Sequence, residues 1–196
     1  MHATGHTRSK WLHRPLCVRY ASIHLKAVRL VVRDGDLDSI VVWQWIFGMF
    51  AEGEFEVLGA WPDSAFASHQ IFDDLADRGV KRAKLICFDD PAKKPYPSAF
   101  IAPINASFVQ NALRVDGVIS SGAIATQFSG RKRRSLLSAL AAAERQHAGL
   151  VRALHRHAPF ASTEAASEFI AGWLQRADRR LYEARRPAKP VLAYAA

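Results

Sequence analysis

Two acidic side chains stand where an α/β chain can do chemistry. The segment Ile71 to Pro91, IFDDLADRGVKRAKLICFDDP, reads as an amphipathic helix, a glycine stop and a buried strand that ends abruptly at Asp89. Open α/β sheets place their chemistry outside the carboxyl ends of strands, so an acid there can meet a metal ion or a substrate. Asp89 and Asp90 before Pro91 also fit an ordinary turn start, and both readings stand. Further along, Glu144 is the one carboxylate in the basic stretch from Arg131 to His157, with Arg145 beside it. An acid in that setting is either a solvated i,i+4 partner or a metal ligand. Asp and Glu oxygens suit hard Mg²⁺. Metal-dependent cutting or joining of phosphodiesters needs several such carboxylates brought together from different elements, one ion activating the nucleophile and another stabilising the leaving oxygen.

The elements that must position these acids can be traced along the chain. IHLKAVRLVVR (residues 23–33) is a first strand, its second half dominated by β-branched residues. DGDLD, Asp34 to Asp38, is a turn-rich connector and the densest run of carboxylates. Ile40 to Phe50 is a long strand, AEGE a tight turn around Gly53, and FEVLGAW (residues 55–61) the returning third strand of a hairpin. Ser64 is a candidate N-cap for a helix that runs to Arg78 and stops at Gly79. Val80 to Phe88 is then the fourth strand, which gives the order β-β-β-α-β. Residues 91–103 hold four prolines and read as loop, and Asn105 to Arg114 as a short helix. Gly117 to Gly130 has no clear pattern. Leu136, Leu137, Leu140, Ala143, Leu150, Val151 and Leu154 give the helix Arg131 to His157 its apolar stripe. Ser162 or Thr163 caps a last helix with Phe169, Ile170, Trp173, Leu174 and Leu181 inward. The resulting division is an irregular basic arm over 1–20, a core over 21–130, a basic helical part over 131–182 that completes the core, and a mobile tail over 183–196.

Composition bounds the classes. With 196 residues and 49% hydrophobic content the chain can bury a real core and is not compositionally disordered. Its longest apolar run, IVVWQWIFGMF, is too short to span a membrane. Cys17 and Cys87 form no zinc-type spacing, and Cys87 reads as a small buried hydrophobe. No secretory leader is apparent in MHATGHTRSKW, and a reducing cytoplasm fits. Charge is the sharper signal. Residues 131–196 carry 13 Lys and Arg against 5 Asp and Glu, so the last third holds +8 of the formal +9. A polyanion is the natural partner, nucleic acid first; the competing reading is a basic face kept for solubility.

A β-β-β-α-β unit with an acid closing its fourth strand is the front half of an RNase H-like fold, here followed by C-terminal helices. The chain resembles mutator-type insertion-sequence transposases, which are DDE enzymes on such a core. Four collinear blocks carry the resemblance: GEFEVLGAW (residues 53–61), FDDLADRGVKRAKLICFD (72–89), YPSAFIAPINASFVQNALR (96–114) and AAAERQHAGLVRALHRHAPF (141–160). The ending RADRRL (176–181) resembles the family's C-terminus. The resemblance implies Asp89 as the second catalytic acid and Glu144 as the third, together holding Mg²⁺ if the chain is active. It implies DNA as partner, gripped along the phosphate backbone by Arg131, Lys132, Arg133, Arg134, Arg145, Arg152 and Arg156. It implies no membrane partner, and either a second copy or a full-length transposase as protein partner.

The departures are equally informative. The family's first acid falls at Lys26, in Ile23-His24-Leu25-Lys26-Ala27, where an ammonium repels Mg²⁺ and removes a ligand. Asp34, Asp36 or Asp38 could substitute only by a shift of strand register. The family's Cys and His fall at Ile104 and Ser107, and its Asn before the third acid at Ala141. Asp89 to Glu144 is short for the family's helical insertion, and its N-terminal DNA-binding region has no counterpart here. The expectation is a shortened, diverged transposase-like chain with little or no strand cleavage and transfer, the alternative being a non-catalytic DNA-binding or regulatory remnant.

Overall fold

A computed structural model describes residues 11, 13–62, 67–88 and 114–185 of the chain. The β-branched and aromatic runs in its first half form a long hairpin. β1 (Arg19–Asp34) turns at Gly35 into β2 (Leu37–Met49), and a second turn at Gly53 leads into β3 (Phe55–Pro62). α1 (Ala67–Asp77) then crosses to β4 (Arg82–Phe88), which pairs with β1 in parallel. β5 (Arg114–Ser120) joins β4 in parallel, and a 3-10 turn over Ser121–Thr126 follows. The long helices α2 (Gly130–His157) and α3 (Thr163–Arg185) complete the described chain. The sheet order is β3-β2-β1-β4-β5, with β1–β2 and β2–β3 antiparallel. The molecule is therefore a mixed α/β chain, a mixed sheet followed by C-terminal helices.

The strand period of two sends alternate side chains to two separate cores. Ile23, Leu25, Ile46 and Leu58 meet Ile71, Phe72 and Leu75 of α1. On the other face Val28, Leu30, Val32, Trp43, Trp45, Phe47 and Met49 meet α2 through Leu136, Ala139, Ala143, Leu150 and Leu154, and α3 through Ala166, Ile170 and Leu174. Full burial of one such side chain contributes about 1.5–3 kcal/mol, so α2 and α3 are parts of the domain core. Gly53 sits at φ +91°, and a Cβ there would lie 2.5 Å from the Ser135 Cβ, so the β2–β3 turn can press onto α2 only as glycine. Gly79, at φ +102°, ends α1 as expected, with Val80 N–H donating to the Leu75 carbonyl at 2.9 Å.

Several boundaries differ from expectation. β1 starts at Arg19, ahead of Ile23, because a parallel ladder beginning at Arg19–Arg82 pairs residues whose own pattern is polar. β2 starts at Leu37, because Gly35 and Asp36 alone make the turn and most of DGDLD is strand. Arg114 opens β5, in the stretch that lacked a pattern: Asp116 and Gly117 break the alternation of RVDGVIS, and the ladder with β4 defines the strand instead. Of the expected helix over 105–114 all but Arg114, of the expected arm residues 1–10 and 12, and of the expected tail over 183–196 residues 186–196 lie outside the described residues, while 183–185 belong to α3. The rest of that arm is tied down. Asp178 of α3 accepts hydrogen bonds from Trp11 Nε1, Arg14 Nη2 and Val57 N, each at 3.1 Å, which ties the segment before β1 to β3 and α3. Among the described residues no helix is long and apolar enough to cross a membrane.

Candidate functional site

The apolar seam between α2 and the sheet is interrupted by a polar clasp. Lys26 on β1 and Trp45 on β2 are cross-strand partners. Above them on α2 are Glu144 and His147, three residues apart and so on one side of the helix. Lys26 Nζ lies 2.5 Å from Glu144 Oε1. Trp45 Nε1 donates to His147 Nδ1 at 3.0 Å, which requires the neutral Nε2–H tautomer of that histidine. The two halves of the ion pair are solvated very differently: Lys26 is 4% exposed, whereas the Glu144 side chain is 44% exposed.

The row continues along β1 through His24 and Ser22, both fully buried. His24 Nε2 is 3.0 Å from Ser22 Oγ, its ring stacks on Phe47 with centroids 4.7 Å apart, and its Nδ1 has no partner. Burial first, and then the Lys26 charge, lower its pKa to about 3. Cys87, the Cα partner of His24 on β4, is pushed up to about 12 by burial and stays a thiol. His24 is therefore neutral in the fold and free to protonate only on unfolding. Its folded pKa lies below the unfolded value near 6.5, so stability is complete above that pH and is lost as the pH falls toward 3. The expected slope is about 1.4 kcal/mol per pH unit. Urea unfolding at pH 5.5 and 4.5, between the two values, measures it, and His24→Leu is expected to flatten that interval by nearly one proton.

The residues singled out from the sequence fall into separate places. Glu144 belongs to the clasp. Asp89 lies outside the described residues; β4 is described to Phe88, the Cα partner of Leu25. Asp34, Asp36 and Asp38 do not reach Lys26. The hairpin register pairs Asp34 with Leu37 and Arg33 with Asp38, eight and seven residues, or about 26 and 23 Å, along β1 from Lys26. Asp38 there accepts from Arg33 Nε at 2.7 Å and from Nη2 at 3.1 Å, so a register shift to bring an acid into the site is corrected by the ladder. Among the described residues no group of three or more His, Cys, Asp and Glu is arranged to hold a metal ion.

All seven basic residues named on α2 are exposed. Arg131, Arg134, Arg145, Arg152 and Arg156 recur at intervals of helical period and form one stripe away from the buried face, about 37 Å long. Lys132 and Arg133, in the first turn, lie on other sides of the helix. Four cations thus crowd a helix N-terminus that has no acid in its first turn and no side-chain cap from Ser129. The helix dipole disfavours that placement.

His24, Trp45 and His147 were not legible as site residues. Trp45 reads as a strand former, and the one signal for His147 is its i,i+3 spacing from Glu144 on an otherwise apolar side.

No family model matches the chain, and no curated protein matches it. A solved structure described as the simian T-cell lymphotropic virus intasome in complex with PP2A regulatory subunit B56 gamma contains a chain that is similar at a TM-score of 0.45 and 9% identity. The similarity covers 94% of this chain and 61% of that one, so this chain spans less than two thirds of its length.

Proposed function

We propose that this chain is a diverged relative of mutator-type insertion-sequence transposases, with an RNase H-like core, that binds DNA through α2 and no longer cleaves or transfers strands. The observation that carries the reading is the Lys26–Glu144 ion pair. The resemblance assigns these two positions, far apart in sequence, to the first and third metal-binding acids, which must converge on one ion. An antiparallel meander followed by a helical crossover into a parallel strand supports the same core.

The residues present do not fit Mg²⁺. A buried ammonium rests on the one acid of the described site, and it both repels a divalent ion and removes a ligand. What this chain retains is a surface for a polyanion. The arginine stripe contacts phosphates, which positions a duplex without reading its sequence. Crowded cations at an uncapped helix start weaken their own helix, an arrangement that an external anion relieves.

A strand-transfer assay on the ends of the chain's own element, with Mg²⁺ or Mn²⁺, is expected to give no product, while duplex binding persists in EDTA and is unaffected by Asp89→Ala. Transfer products that vanish in Asp89→Ala would overturn the inactivity. Absence of duplex binding at low salt would overturn the DNA reading.

A further inference from the structure

We infer that the far end of the β1–β2 hairpin is an interface for a second copy of this chain, joined edge to edge through β2. The interface follows from the sheet alone, apart from any family resemblance or DNA binding. β2 outruns its outer neighbour: its ladder with β3 ends at Trp43–Pro62, so over Leu37–Val42 no strand lies on that side among the described residues. An open strand edge of that length is a template for another chain. The surface beside it is apolar. Leu37 is 76% and Ile40 73% exposed, two of the four large hydrophobic side chains so exposed among the described residues, and Val41 and Val42 are half-buried. An open cavity of about 130 Å³ adjoins Ile40, with Val31, Leu154 and Ala158 also on its walls. Helix α1 packs farther back, on Ile23, Leu25, Ile46 and Leu58.

Charge decides both the occupant and the register. An antiparallel strand pair closes on itself about a twofold axis, so a second copy brings the matching edge with it. An axis through Ile40 sets Ile40 against its own copy and Asp38 against Val42 of the second copy. Val42 is the cross-strand partner of Arg29, and Asp38 of Arg33. Each Asp38 therefore shares one row with Arg33 of its own hairpin and Arg29 of the second copy. Opposed residues of a ladder point to the same face, and two strand spacings, about 10 Å, separate Asp38 from that second arginine, within reach of an extended arginine side chain. Arg29 is exposed and makes no ion pair among the described residues, while Asp38 keeps 48% of its side chain open beside Arg33. Other registers fit worse. An axis on Asp38 opposes like charges, one on Ser39 sets Asp38 against Ile40, and one past Ile40 runs into the Trp43–Pro62 pairing of β3.

The test is the mass of the natural chain in solution, by light scattering after gel filtration without DNA, over a concentration series that reaches the high-micromolar range. The mass is expected to rise to twice the 21.8 kDa of one chain. Ile40→Asp sets two acids face to face at the axis and is expected to return the mass to that of one chain. Its unfolding midpoint should hold, because Ile40 is exposed in the single chain. Arg29→Glu and Asp38→Arg each put like charges into the shared row, and each is expected to weaken association by about tenfold or more. Loss of the exposed Arg33–Asp38 pair costs the fold little. Mixed one to one, these two variants restore opposite charges in both rows and are expected to form a heterodimer, a recovery specific to this register. A natural chain that keeps the mass of one chain throughout would overturn the inference. So would a dimer that survives Ile40→Asp, or a mixture of the two charge variants no heavier than its components.

Discussion

Glu144→Ala is expected to destabilise the fold by about 3 kcal/mol or more, and Lys26→Met by less than about 1 kcal/mol, although the two substitutions break the same ion pair. The asymmetry follows from solvation. Loss of Glu144 takes from Lys26, which is 4% exposed, the carboxylate it contacts among the described residues, and removing one partner of a buried ion pair costs roughly 3–5 kcal/mol. Loss of the Lys26 charge leaves a carboxylate whose side chain is 44% exposed and can turn to water. An apolar chain of similar length also fills the site, and replacing a buried ion by an apolar group is often close to neutral. Urea titration of both single variants and the double variant measures the costs and the coupling between them. Equal costs for the two single variants would mean that Lys26 is stabilised chiefly by something other than Glu144.

The second large effect concerns the arginine stripe. Changing Arg134, Arg145, Arg152 and Arg156 together to Gln is expected to weaken duplex binding on the order of a thousandfold at 0.1 M salt. It is also expected to lower the slope of log K against log salt by about 3.6, since each phosphate contact contributes about 0.9. The fold itself should be nearly unaffected, because all four side chains are exposed on the face of α2 away from the core and exposed substitutions cost within about 0.5 kcal/mol each. Fluorescence anisotropy across a salt series reads both quantities. A slope unchanged by the four substitutions would place the DNA contacts elsewhere.

What could be read in advance depended on how local its cause was. Turn glycines and strand alternation placed β2, β3, α1 and β4 within a few residues, because Gly53 and Gly79 are needed for backbone reasons that neighbouring residues already reveal. The start of β1 and the whole of β5 were not legible, since both are fixed by ladders with β4 and not by their own patterns. The charge surplus of α2 was legible in its composition; that five of its arginines share one exposed stripe follows from the helical period. The clasp was only half legible. Lys26 stood out as a departure from a family pattern, but nothing local announces that it touches Glu144. Trp45 and His147 meet only because β2 and α2 pack, a tertiary fact that their one-residue chemistry does not encode.

Binding of a mixed-sequence duplex in EDTA, titrated from 50 to 200 mM salt, tests most directly whether the exposed arginines of α2 bind a polyanion without a metal ion. Tight association at the low end that weakens steeply toward the high end, and is insensitive to added Mg²⁺, is the outcome expected of a chain that neutralises phosphates without metal chemistry. A duplex that binds only when Mg²⁺ is supplied, or not at all at 50 mM, would contradict it.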